Sequence, residues 1–144
     1  MLVTLDTNIL YQALRSNSGA SYYIFQQVRD RKIQISLSVP VFYEYQDVLT
    51  REKSLKEFGL EIIDIEKFLR FIAFVGKTFD VHYLLRPNLL DESDNKILEL
   101  AVTSQSDFLI TSNIKDFQNS ELKIDQLQII TPGNFVKKWR EKYG

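Results

Sequence analysis

MLVTLDTNIL, residues 1–10, passes from an apolar run of strand length into a helical pattern across one acidic residue, Asp6. Residues 2–5 (LVTL) have the composition of a short strand, and Ile9, Leu10 and Leu14 then recur at helical spacing. Asp6 or Thr7 can cap that helix by offering a side-chain oxygen to its free N–H groups. A strand that feeds a helix this abruptly predicts an α/β unit, with Asp6 at the carboxyl end of the strand.

The rest of the chain continues the alternation. A second helical pattern runs from about Tyr22 to Arg31, KIQISL at 32–37 has the character of a strand, and VPVFYEYQDVLTR at 39–51 that of a helix with proline near its start, where a missing N–H is harmless. Gly59 interrupts the next stretch, after which Ile65, Phe68, Leu69, Ile72 and Val75 mark one face of a helix. Residues 79–85 predict a third strand, in which the alternation turns His82 to the polar side. DESDNKILELAVTS predicts a helix with Ile97, Leu98, Leu100, Ala101 and Val102 as its apolar positions, DFLIT at 107–111 a fourth strand, and LQII at 127–130 a fifth. SNIKDFQNS reads as the loop between these two strands, and TPGNFVKKWREKYG as a closing helix. Strands alternating with helices, without repeats or low-complexity linkers, predict one domain over residues 1–144, built on a mainly parallel sheet covered on both faces. Ligands of such folds bind beyond the carboxyl ends of the strands.

Composition narrows the chemistry. Hydrophobic residues make up 44% and charged residues 26%, and no apolar run approaches the roughly 18 residues of a membrane span. MLVTLDTN lacks the features of a signal peptide, so the expected location is the cytoplasm. The chain has no cysteine and one histidine, which removes disulfides, thiol nucleophiles and Cys-based metal sites and deprives serine-hydrolase chemistry of its usual base. Any catalysis has to run on carboxylates, and so through a hard metal ion. The net charge of −1 requires any nucleic-acid contact to be local. Arg15, Arg29, Arg31 and Lys32, and the C-terminal cluster Lys137, Lys138, Arg140 and Lys142, are the candidates, against the plainer reading of a solvated face.

Three acids stand out, each with a structural alternative. Asp6 serves equally as a helix cap. Asp94 serves as a third-position acid on a helix capped by Asp91, satisfying free N–H groups and the helix dipole. Glu44 lies roughly 40° from Val48 and roughly 60° from Val41 at about 100° per residue, at the flank of an apolar stripe, where a carboxylate needs a cation, a metal or donors. Gathered on one rim, such acids repel one another, and Mg²⁺ or Mn²⁺ is the natural counter-charge for hard oxygen ligands.

These residues, in this order, resemble the PIN-domain ribonucleases, including the VapC-type toxins of bacterial and archaeal toxin–antitoxin pairs. The resemblance covers nearly the whole chain. It rests on LVTLDTNIL with Asp6, Thr7 and Asn8, on Glu44 in VPVFYEYQDVL, on Asp94 in LLDESDNKILELA, and on LITSNIKDF with Thr111, Asn113 and Asp116. What it implies is an α/β/α sandwich around a five-stranded parallel sheet in the order 3-2-1-4-5. It also implies an Mg²⁺- or Mn²⁺-dependent endoribonuclease, held inactive by a small antitoxin protein and acting as a homodimer. In that scheme Asp6 and Asp94 hold the metal, Glu44 with Asn113 or Asp116 completes the site and positions water, and Thr7, Asn8 and Thr111 orient. Asn113 departs from the family, many of whose active members carry Asp there, and this weakens a second metal position. The rival from another class is a PIN-like binding module whose acids are only structural. A haloacid-dehalogenase-like phosphatase wants an Asp where Asn8 stands, and a response-regulator receiver wants a lysine that TPGNF at 131–135 does not supply.

Overall fold

Leu2–Leu5 forms β1, and its side chains are buried on both faces of the sheet: Val3 and Leu5 on one, Thr4 on the other. The computed structural model describes residues 1–81, 92–118 and 127–144. Its elements run β1 (Leu2–Leu5), α1 (Thr7–Arg15), α2 (Ala20–Arg29), β2 (Gln34–Leu37), α3 (Val39–Leu49), α4 (Glu52–Phe58), α5 (Ile62–Val75), β3 (Lys77–Thr78), α6 (Glu92–Thr103), β4 (Phe108–Ile110), α7 (Lys115–Gln118), β5 (Gln128–Ile130) and α8 (Pro132–Tyr143). The five strands make one parallel sheet in the order β3-β2-β1-β4-β5, flanked by helices, as the α/β/α expectation requires. No helix among the described residues is long and apolar enough to cross a membrane.

Strand pairing is reinforced by buried hydroxyls. Thr4 Oγ1 lies 2.6 Å from Ser36 Oγ and 2.8 Å from Ser106 Oγ, and Ser106 lies 2.7 Å from Ser104 Oγ, so one chain of hydroxyls ties β2, β1 and the approach to β4. A one-residue slip would break every link and turn Thr4 into the apolar face. On α3, Val41, Tyr45 and Leu49 are buried at four-residue spacing, so the deepest stripe runs through Tyr45 rather than through the half-buried Val48.

Three expectations are corrected. The third strand is Lys77–Thr78, ahead of the expected start at 79: the chain leaves α5 through Gly76, where a Cβ would stand 2.9 Å from the Ile72 carbonyl and 3.2 Å from Leu37 Cβ, so pairing with β2 begins at once. Phe79 N–H still donates to the Leu37 carbonyl at 2.8 Å, whereas residues 79–81 form no strand. The expected strand residues 82–85, the orientation of His82 and the Asp91 cap lie outside the described residues.

The second helix starts at Ala20 and ends at Arg29, because Arg31 adopts φ 62° and closes it with two bonds, Arg31 N–H to Val28 O and Lys32 N–H to Gln27 O. Residues 52–58 form a helix of their own, α4, closed the same way by Gly59 at φ 65°. The loop after β4 contains a single helical turn, α7.

Candidate active site

Asp6 lies at the carboxyl end of the central strand, 8% exposed, with its backbone N–H bonded to the Ile110 carbonyl at 3.0 Å. It caps α1: Oδ1 accepts from Thr7 N–H at 2.8 Å, so the cap expectation holds. The other oxygen is committed differently, accepting from Asn8 Nδ2 at 3.1 Å and from Thr111 Oγ1 at 2.7 Å. Thr111 comes from the end of β4, adjacent to β1 in the sheet, which brings the two motifs of the sequence into contact.

The orientation of each donor is fixed by its own partner. Ser112 N–H can only donate, and it meets Asn8 Oδ1 at 3.3 Å, so the Asn8 amide turns its nitrogen to Asp6. Asn113 N–H donates to Thr111 Oγ1 at 3.0 Å, which leaves the Thr111 hydroxyl proton for Asp6. Gln12 Nε2 donates to Ser112 Oγ at 3.0 Å and Gln12 Oε1 accepts from Ser21 at 2.8 Å, bracing the loop from α1 and α2.

Burial raises the Asp6 pKa above its ordinary 3.8; the Thr111 hydroxyl and the Thr7 N–H pull it down, the charge of Asp116 pushes it up again, and Asn8 lowers it. The balance lies on the raised side, so an ionised Asp6 is oriented by three donors yet opposed by its surroundings. Asp116, exposed in α7, is thus electrically coupled to Asp6.

Glu44 is half-buried on α3, directly before Tyr45. The Tyr45 hydroxyl donates to the Leu5 carbonyl, one residue before Asp6, and pins α3 to the end of β1. Burial, with the Asp6 charge adding to it, pushes the Tyr45 pKa far up and keeps the hydroxyl a neutral donor. Asp94 is half-buried at the third residue of α6, in the first-turn position expected of it.

The structure therefore brings together Asp6, Thr7, Asn8, Thr111 and Asn113 through hydrogen bonds, and Asp116 through its charge. Among the described residues no three acidic or histidine side chains are gathered closely enough to hold a metal ion, so Glu44 and Asp94 are not drawn into one cluster with Asp6 and Asp116. Sequence reasoning missed Tyr45, Gln12 and Ser112. Tyr45 carried a signal, since a tyrosine in a buried stripe has to find a partner for its hydroxyl; Gln12 and Ser112 carried none beyond their place near the motifs.

Against known proteins, the family described as PIN domain matches residues 2–115. A chain in the crystal structure of VapBC2 from Rickettsia felis, bound to a DNA fragment from their promoter, is similar in fold with a TM-score of 0.60 and 21% identity, over 91% of this chain and 98% of that one. No curated protein matches the chain.

Proposed function

Since this chain belongs to the PIN-domain family, we propose that it is an endoribonuclease that hydrolyses RNA phosphodiester bonds with Mg²⁺ or Mn²⁺, as the toxin of a toxin–antitoxin pair. The observation that carries this reading is Asp6: a buried carboxylate oriented by three donors, with a raised pKa and the charge of Asp116 against it. Such a group is at rest only when protonated or beside a cation. The donor set fits a hard divalent ion, since every candidate ligand, Asp6, Glu44, Asp94, Asn113 and Asp116, offers oxygen.

When bound, the ion supplies a water of lowered pKa and stabilises charge on the phosphate. Asp6 presents Oδ2 in a direction set by Asn8 and Thr111, and Asp116 adds negative charge from the rim. Glu44 and Asp94 would complete the ligand set, although they form no three-acid cluster with Asp6 among the described residues, Asn113 would contribute a neutral oxygen, and Thr7 holds Oδ1 in place through its backbone. The VapC resemblance and the fold shared with a chain of VapBC2 support a small antitoxin as partner. A cytoplasmic homodimer belongs to the same reading.

The absence of a three-acid cluster among the described residues favours one rival, a PIN-like module that binds RNA or protein without cutting it. Incubating single-stranded RNA with the protein and Mn²⁺, with and without chelator, separates the two. Products that vanish on chelation support the nuclease; intact RNA with every divalent ion tried sinks it.

A further inference from the structure

The C-terminal helix combines positive charge with an aromatic ladder, neither of which the rim around Asp6 uses. Among the described residues the ion pairs are Arg29 with Asp30, Arg51 with Asp47 and Lys56 with Glu52, so Lys137, Lys138, Arg140 and Lys142 enter none. Phe135 meets Phe108 edge-on at 5.4 Å and stacks with Trp139 at 6.1 Å, and Trp139 lies against Tyr143 at 4.2 Å. The ladder climbs α8 in steps of four residues and ends on Tyr143, which is 55% exposed.

Lys138 Nζ stands 5.9 Å from the Phe108 ring centre and Lys142 Nζ 5.4 Å from that of Tyr143, inside cation–π range. Between these side chains and the amino ends of β1, β4 and β5 opens a cleft of about 550 Å³, lined also by Met1, Asp107 and Gln128. Its polar groups are partly spoken for: Asp107 accepts from Leu2 N–H at 3.1 Å and Gln128 from Lys138 at 3.3 Å.

A second groove, lined by Asn134, Lys137, Lys138 and Glu141, follows α8 along β5. It leads toward the end of β5, where the Ile130 carbonyl accepts from Thr111 N–H at 3.0 Å, beside Asp6. The 12 residues of α8 span about 18 Å between the two ends. Asn134, Lys138 and Lys142, four residues apart, form one stripe from the rim to the cleft. Phe135 and Trp139 belong to the core, and the ladder reaches solvent at Tyr143, where the cleft opens beside Lys138 and Lys142.

We propose that this stripe is a second contact for single-stranded RNA, distinct from the carboxylate rim: a base stacks on the exposed ring of Tyr143, which itself lies against Trp139, and Lys138 and Lys142 hold backbone phosphates. Aromatic platforms flanked by cations bind single strands with little regard to sequence, so this contact secures the strand and leaves the choice of bond to the rim. The choice of RNA as the strand rests on the nuclease reading; the cleft itself does not.

Trp139 is the sole tryptophan of the chain, so its emission reports on the cleft. The full chain is titrated with a single-stranded oligoadenylate of about 12 ribonucleotides in chelator, where no metal-dependent cleavage proceeds. The expected result is saturable binding with a change in Trp139 emission. The double variant Lys138→Gln/Lys142→Gln binds about 25-fold more weakly near 0.1 M salt, with a salt slope shallower by about 1.4. Tyr143→Ala binds roughly five- to 150-fold more weakly with the slope kept.

Wild-type affinity and slope in the lysine variant, or emission indifferent to RNA, overturns the proposal. Emission that follows protein concentration without RNA does so too, by assigning the cleft to a second copy of the chain. Cleavage absent under all metals with the Trp139 response intact sinks the nuclease reading and leaves the second contact standing.

Discussion

The Thr111 hydroxyl donates to Asp6 Oδ2 at 2.7 Å, joining the carboxyl ends of β4 and β1 across 105 positions of chain. Asn113 N–H donates to Thr111 Oγ1 at 3.0 Å, which leaves the hydroxyl proton to point at Asp6. Thr111→Val keeps the shape and removes the donor. It should cost about 1–3 kcal/mol of stability, the range for a buried group deprived of its partner, and slow RNA cleavage, whereas Thr111→Ser keeps cleavage near wild type and loses only about 0.8 kcal/mol for the buried methyl. Chemical denaturation and cleavage rates check this; a valine variant as stable and active as the serine one removes the role.

Asp6 should leave a signature in the pH dependence of the metal-free protein. Its folded pKa is raised above 3.8, so between these values the native state binds more protons than the unfolded state. Above the folded pKa the ionised carboxylate therefore costs stability, and the cost disappears as the pH falls through that pKa toward 3.8. Asp6→Asn lacks this pH-dependent cost and should also lose cleavage. The difference in unfolding free energy between wild type and variant, followed against pH in chelator, should move in favour of the wild type as the pH is lowered. A difference independent of pH contradicts the raised value.

Tyr45→Phe tests the link between α3 and β1. Losing the hydroxyl bond to the Leu5 carbonyl should cost about 1 kcal/mol, the usual net value of one hydrogen bond. Because the Tyr45 pKa is raised far above 10.0, the native state holds its proton where the unfolded chain gives it up, and the wild type loses stability as the pH rises past 10.0. The phenylalanine variant should lose less in that window. Parallel denaturation curves at alkaline pH would return Tyr45 to plain packing.

Asn113 is exposed, and its backbone rather than its side chain braces Thr111. Asn113→Asp therefore adds a charge near Asp6 without removing a donor from it. Mn²⁺ should bind more tightly, and cleavage at low metal should hold or rise, with fold stability in chelator little changed. Calorimetric titration showing equal or weaker Mn²⁺ affinity would take this residue away from the metal.

Much of the order was legible in the chain. LVTL running into DTNIL, and the alternation after it, sufficed for a parallel α/β sheet with Asp6 at a strand end, because apolar period and helix caps are local signals carried by neighbouring residues. The third strand failed where distant parts meet: β3 begins at Lys77 because Gly76 lets α5 close on Leu37. The second helix ends before its expected bound for a local reason, since Arg31 adopts a positive φ without being glycine. In the sequence Asp6 is a helix cap and Thr111 the end of a strand. Only the pairing of β1 with β4 sets the second oxygen of Asp6 under the Thr111 hydroxyl, and only the folded core strips enough water from that carboxylate to raise its pKa. Desolvation and contacts between remote residues depend on the whole packed molecule, so no local pattern of residues encodes them.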